Sequence, residues 1–472
     1  FIYCVELKSF MNKNKNFFFV LREPIGPYKF LIGAAKTHSE KLANEKLTLY
    51  VNKNHKRDYV AIFYLIRIIF QTNFFSKKKI MSVKYQGYNL SRYTIPEIYR
   101  NYNSYLYWFS FFYESMRCFY RSLTMLRNIM QIKKDNIKGA FIDHGMYRNG
   151  LIISIFSKKK IPIYTLGYPK GLAYCINKNR KIINYEDIIQ IKKLKNKRIN
   201  NKQIKEAKAS MEKILHKTER IPWMRAIKFV KENKIYDQIT HLIYAHSFTD
   251  GQLLCGYDGF VNVYEWLEFT IDELLKNKNN KILIKGHPTF FYGKFPTPQR
   301  TYDRKLFFRI LSKYENNKNI SFINEPTKNL DLLNRLNKKT ILISHHGTAI
   351  LEALFLNFKC ISSQAIFWSP KFKATNNWNN KTNYKNLLIK DWKQLQSCKK
   401  DDFYSICYQI FCNPLGHYGK YYWHQFLSKE LNIPMHKIYH NSASIFYKKN
   451  KAKKKIERIV QKISKKIELV QI

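Results

Sequence analysis

The feature that most constrains this chain is an alternation of short apolar runs and longer amphipathic stretches between about residues 238 and 362. Gln238 to Tyr244, Lys281 to Lys285, Ile320 to Ile323, Thr340 to Ser344 and Lys359 to Ser362 read as strands, most of them stopping at a polar, Gly- or Pro-containing turn. Between them, Val261 to Leu275 places Val263, Trp266, Leu267, Thr270 and Leu274 at helical spacing. Leu330 to Leu336 and Ala349 to Leu356 are shorter helices. Strands separated by helices return parallel to one another. The spacing therefore predicts an α/β fold with a doubly wound parallel sheet.

A shorter copy of the pattern lies upstream. Ile137 to Ile142 reads as a strand, Met146 to Ser157 as a helix and Ile161 to Leu166 as a second strand. With 472 residues the chain has room for two or three domains. The expected division is a Rossmann-like domain over residues 1–235, a second over 236–425, and a basic helical tail over 426–472. Residues 103 to 133 contain neither Gly nor Pro and predict a long aromatic helix. Tyr59 to Phe75, interrupted by Arg67 and Gln71, is too short and polar for a membrane span. It reads as a buried core helix, with an interfacial helix flanked by Lys77, Lys78 and Lys79 as the alternative. Residues 176 to 235 read as an interdomain stretch, and residues 1 to 100 carry no recognisable motif.

The charge is unusual: 84 Lys and Arg against 33 Asp and Glu give +51. Such a balance suits a polyanion, either nucleic acid or an anionic membrane face. However, Lys, Asn, Ile, Phe and Tyr are abundant throughout, as an AT-rich coding bias produces, and the basic residues are spread rather than gathered. Nucleic acid is therefore not the expected partner. The eight cysteines form no C-x-x-C pair and read as reduced thiols of a cytoplasmic protein. Cys407, Cys412 and His417 lack a second ligand pair at metal-binding spacing, so no metal site is expected.

Ligands of open α/β sheets bind outside the carboxyl ends of the strands, and the polar clusters of this chain fall there. Ser344-His345-His346-Gly347-Thr348 opens the helix carrying Glu352. Gly347 permits close backbone approach, and the helix start offers free N–H groups to a phosphate. Thr348 is expected to cap the helix, with Glu352 one turn further in to accept from ribose hydroxyls. Lys285-Gly286-His287-Pro288 aims a His at the same edge, fixed by the Pro. His246 to Gly251 adds a His, two hydroxyls and Asp250. Asp143-His144-Gly145 ends a strand of the upstream unit, where a carboxylate or imidazole can act as general base. No G-x-S-x-G, P-loop, G-x-G-x-x-G or D-x-D is present.

The order AHSFTDG … W … IKGHP … ISHHGTAILEALFLNFKCI, over residues 238 to 365, resembles GT-B glycosyltransferases of bacterial capsule and lipopolysaccharide synthesis. Within them it is most similar to capsule polysaccharide biosynthesis proteins that include Kdo-transferase relatives. FIDHGMYRNG … IPIYTLG resembles the acceptor-side domain of the same fold. The resemblance implies two Rossmann-like domains facing a cleft, and transfer of a sugar from a CMP- or UDP-linked donor without a metal or other cofactor. The acceptor would be a glycan or lipid-linked glycan, and the protein would be cytoplasmic, peripheral on the anionic face of the inner membrane. His287 and Pro288 match the motif that contacts the donor phosphate. Ser344, Gly347 and Thr348 match the phosphate-holding turn, and Glu352 the ribose-binding carboxylate. His246, Lys285 and His345 complete the expected donor site, although relatives often carry small residues where this chain has His345 and His346. Asp143 or His144 is the expected base, with Asp250 behind them. A sugar-nucleotide epimerase or glycerophosphotransferase of the same fold is the alternative, and a basic nucleic-acid-binding protein the alternative of another class.

Overall fold

The structure is a computed structural model that describes residues 17–21, 48–51, 58–72, 80–101, 103–131, 139–142, 147–161, 163–165, 174–175, 199–216, 229–231, 234–250, 253, 256–291, 298–364 and 374–412. Its strands, in chain order, are β1 (Phe17–Leu21), β2 (Thr48–Val51), β3 (Lys84–Tyr85), β4 (Tyr88–Asn89), β5 (Gly139–Ile142), β6 (Ile163–Thr165), β7 (Tyr174–Cys175), β8 (His241–Tyr244), β9 (Ile282–Lys285), β10 (Ile320–Ile323), β11 (Ile341–Ser344), β12 (Lys359–Ser363) and β13 (Asn376–Trp378). The helices that matter below are α1 (Tyr59–Thr72), α2 (Leu90–Ile98), α3 (Trp108–Gln131), α4 (Asn149–Lys158), α5 (Asn201–His216), α6 (Val263–Leu275), α7 (Pro298–Tyr314), α8 (Ala349–Phe355) and α9 (Lys381–Leu388).

The chain forms two compact units, neither continuous in sequence. One takes residues 1–59, 124–188 and 410–472; the other takes 60–123 and 189–409. The first unit holds a five-stranded sheet in the order β2-β1-β5-β6-β7. Its first four strands are parallel, and only β7 runs against its neighbour. Here α4 joins β5 to β6, burying Leu151, Ile152, Ile155 and Phe156, as the upstream pattern predicts. The first hundred residues supply two strands of this sheet, β1 and β2, that the sequence pattern did not reveal, with β1 in its interior. The basic tail lies outside the described residues.

The second unit holds a wholly parallel sheet in the order β10-β9-β8-β11-β12-β13. Counted from β8 that order is 3-2-1-4-5-6, the doubly wound arrangement whose ligand crevice lies where the winding reverses, between β8 and β11. The strands β8, β9 and β11 are buried along their length, as near-continuous aliphatic runs covered on both faces must be. Helix α6 begins at Asn262, whose side chain accepts from the Glu265 N–H at 2.8 Å, while Glu265 accepts from the Val261 N–H at 2.9 Å. The first bond satisfies one of the helix's free N-terminal donors, and the second ties the residue before the cap to the first turn. Trp266, Leu267, Ile271 and Leu274 then face the sheet.

The segment between residues 60 and 123 packs in this second unit. Thr94 of α2 and Ser122 of α3 share a 2.8 Å hydroxyl bond, and the Tyr105 hydroxyl donates to the Phe248 carbonyl. Helix α1 divides its residues between two faces. Ala61, Leu65 and Ile68 are buried, whereas Tyr59, Phe63, Ile66 and Phe70 are exposed, so it is not the wholly buried core helix that its composition suggests. No helix among the described residues is long and apolar enough to cross a membrane.

Candidate functional site at the sheet switch point

Strand register builds the site. Tyr244, Lys285 and Ser344 stand level across β8, β9 and β11. Two residues beyond that level, each chain segment carries a histidine: His246, His287 and His346. Neighbouring strands lie ~4.8 Å apart, so these three imidazoles form a row along the carboxyl edge. The His246 and His346 rings are 3.8 Å apart between centroids, and His246 and His287 5.7 Å apart.

Each ring is fixed by a local partner. His246 Nδ1 lies 3.1 Å from the Ser247 carbonyl and must donate to it, which leaves Nε2 as an acceptor. His287 Nδ1 accepts from the Thr289 N–H at 3.3 Å and from the Thr289 hydroxyl at 2.6 Å, so its Nε2 carries the proton. Pro288 opens the single 3₁₀ turn, Pro288–Phe291, that brings Thr289 back to the ring. Burial pushes His246 down to about 4. Burial, reinforced by His246, Lys285 and Arg300, pushes His287 down to about 3. Burial, then His246, His345 and His287, holds His346 well below the ordinary value. The row is therefore neutral at physiological pH, and His287 presents an N–H dipole rather than a positive charge.

His345 lies behind the row. Its Nε2 is 2.9 Å from Asp258 Oδ2, and its Nδ1 is 2.7 Å from His346 Nδ1. The Trp266 and Trp378 rings stand edge-on to it at 5.4 and 5.8 Å. Burial alone would raise the Asp258 carboxyl, but His345, the Ser363 hydroxyl and the Phe260 N–H outweigh it and lower the carboxyl below its ordinary value. Asp258 was not singled out in the sequence, because nothing local marks it. Its position depends on Gly259, whose φ is +108° and where a Cβ would lie 2.6 Å from the Lys381 nitrogen.

A second carboxylate missing from the sequence reading holds the His246 loop. Asp303 of α7 accepts from the Ser247 hydroxyl at 2.6 Å, the Phe248 N–H at 2.9 Å, the Thr249 N–H at 2.8 Å and the Thr249 hydroxyl at 2.9 Å. The hydroxyls of this loop are thus spent on shaping it. Asp250 follows them and is exposed.

The remaining expected residues fall as follows. Lys285 is buried at the end of β9. The Ser344 hydroxyl donates to the His346 carbonyl at 3.3 Å, tightening the turn. Gly347 has φ +143°, and a Cβ there would meet His246 Cδ2 at 3.5 Å. Thr348 does not cap α8 as expected: it is already helical, at φ −73° and ψ −16°, and makes no side-chain cap bond. The free N–H groups of that turn are left uncovered by a hydroxyl. Glu352 lies in the first turn of α8, where its charge adds to burial in raising the Tyr244 hydroxyl. Asp143 and His144 lie outside the described residues. Among the described residues, no group of three or more His, Cys, Asp or Glu is arranged to hold a metal ion. A cavity of about 580 Å³ lies at the opposite, amino end of the strands, lined by Asp237, His241, Thr340 and Asp391 among others.

The fold described here is that of an α/β protein with a six-stranded, wholly parallel, doubly wound sheet. No protein-family model matches the chain, and no curated protein matches it in sequence. Among solved structures it is similar to KpsC of Thermosulfurimonas dismutans, a beta Kdo 2,4 transferase. That likeness has 13% identity and a TM-score of 0.36, over 58% of this chain and 80% of that one. It is also similar to the UDP-GlcNAc 2-epimerase of Methanocaldococcus jannaschii, solved with UDP-GlcNAc and UDP, at 16% identity and a TM-score of 0.28, over 65% and 81%. Anabaena Alr3699/HepE, solved with UDP and glucose, is similar at 8% identity and a TM-score of 0.28, over 89% and 100%.

Proposed function

We propose that the chain is a nucleotide-sugar enzyme of the GT-B type, a glycosyltransferase moving a sugar from a nucleotide donor to a surface glycan. The observation that carries this reading is the convergence of His246, His287, His346 and Gly347 on the switch point of a doubly wound sheet. A nucleoside diphosphate meets three kinds of group there. His287 Nε2–H and the backbone N–H groups around Gly347 and Thr348 face its phosphates as fixed dipoles, in a site where Lys285 adds positive charge. Glu352 accepts from ribose hydroxyls. His246 Nε2 offers an acceptor to a sugar or ribose hydroxyl. Fixed donors aimed at the leaving phosphate stabilise the charge that develops as the glycosidic bond breaks. Deprotonation of the acceptor hydroxyl is assigned to Asp143 or His144.

The membrane-surface part of the reading rests on the exposed stripe of α1 together with the net charge of +51. Apolar side chains on a basic protein suit an anionic leaflet.

The test is product analysis after incubation with CMP-, UDP- and GDP-linked sugars, with and without a lipid-linked glycan acceptor. Transfer yields free nucleotide and extended glycan in equal amounts, only when acceptor is present. An isomeric sugar nucleotide formed without acceptor assigns the site to epimerisation instead. No turnover and no binding of any sugar nucleotide overturns the reading.

A further inference from the structure

The hydrogen bonds behind the histidine row run in one direction. Asp258 Oδ2 can only accept from His345 Nε2 at 2.9 Å while it is ionised. With one proton on its ring, His345 then accepts at Nδ1, so His346 Nδ1 donates across the 2.7 Å contact. His346 Nε2 is left with a bare lone pair, buried and without a hydrogen-bond partner. A buried acceptor left unmade is costly, so a donor brought by a ligand would be held there. His346 directly precedes Gly347, and its ring lies against the His246 ring, 3.8 Å away between centroids.

We infer that Asp258, His345 and His346 form a buried proton relay that presents His346 Nε2 to a hydroxyl group of the ligand bound at the β8–β11 switch. The hydroxyl proton passes to His346 Nε2. The proton on His346 Nδ1 passes to His345 Nδ1. The positive charge arrives on His345, against the Asp258 carboxylate, and the ligand oxygen is left with the electron pair. Reversal returns both protons. His346 need not hold the charge itself, in a place where burial and three neighbouring imidazoles disfavour it. Adding one proton to the pair turns the edge from acceptor to donor, since His346 then carries its hydrogen on Nε2.

The groups facing the pair come from every surrounding element. His246 and His287 stand on the row, and Asp258 and Ser363 lie behind. Trp266 and Trp378 cover the apolar side, and Lys285 and Arg300 act through His287. Identifying the ligand as a sugar nucleotide rests on the reading above; the relay rests on the three residues alone.

The experiment is long-range ¹H–¹⁵N spectroscopy of the full chain labelled at histidine, between about pH 5 and pH 8, with His345→Gln and His346→Gln used to assign the rings. At the alkaline end His346 should carry its proton on Nδ1. His345 should carry its proton on Nε2 in the same spectra. His346 with its proton on Nε2, or His345 with its proton on Nδ1, would overturn the relay. The wild-type spectra decide this whether or not the variants fold. Adding CMP, UDP or a sugar nucleotide to the same sample separates the two claims. The relay tautomers without any nucleotide response sink the donor reading only, and a nucleotide response with the wrong tautomer sinks the relay only.

Discussion

Asp303 ties four donors of the His246 loop to α7, yet burial outweighs them and pushes its carboxyl up to about 6. The folded chain therefore keeps this proton in a range where the unfolded chain has already released it. Stability from this group is greatest below the ordinary carboxylate value and declines as pH rises toward about 6, by at most ~1.4 kcal/mol per pH unit. Asp303→Asn keeps a carbonyl oxygen for the Phe248 and Thr249 N–H groups and removes the titration. Urea unfolding near pH 4.5 and near pH 7 should show the wild type drifting relative to this variant, and equal drift in both would contradict the account. Asp303→Ala leaves buried donors unmade and should cost about 2 kcal/mol by the same measurement. At Gly347, φ of +143° is open to glycine alone. Gly347→Ala should lower stability by roughly 1–3 kcal/mol and abolish any nucleotide-induced rise in Tm; unchanged stability and binding would show that the turn is not held as described.

At the scale of elements, β8, β9 and β11 were legible because each is a buried, largely aliphatic run with a turn signal behind it. Level strand ends put His246, His287 and His346 in one row, two residues past Tyr244, Lys285 and Ser344, whereas the sequence reading took His345 for the donor site. What register alone does not say is that His345 turns back to Asp258 while His346 takes the place in the row. Strand β13 was not legible. Asn376–Trp378 has no strand-forming run, and it is fixed by pairing with β12 and by the Asn377 amide bridging to the Ser362 hydroxyl at 3.0 Å. Helix α7 did carry a signal, Pro298 at its start and Leu306, Phe307, Ile310 and Tyr314 at helical spacing, but the role of Asp303 depends on a loop 54 residues away. The Asp258 loop depends on Gly259 approaching the Asn380–Lys381 backbone. Gly259→Ala is expected to lose about 2 kcal/mol or more in urea unfolding, whereas Ala at exposed Ile389 should change little; equal effects would remove the packing argument.

For the whole molecule, the charge of +51 and the exposed residues of α1 point the same way. Flotation with anionic vesicles at low salt should capture the chain, and neutral vesicles should not. Replacing both Phe63 and Phe70 by Ser should weaken capture by about tenfold or more. Capture that ignores the double substitution would leave charge alone as its cause. The central claim, that the histidine row at the sheet switch is a sugar-nucleotide site, is tested most directly by thermal shift of the full chain with CMP, CDP, UDP and GDP, beside short duplex DNA at two salt concentrations. A ligand at 100 times its Kd adds about 2.7 kcal/mol. The account predicts that one of the nucleotides raises Tm and that His287→Ala or Glu352→Ala removes the rise. Stabilisation by DNA at low salt only, with no response to any nucleotide, would contradict it.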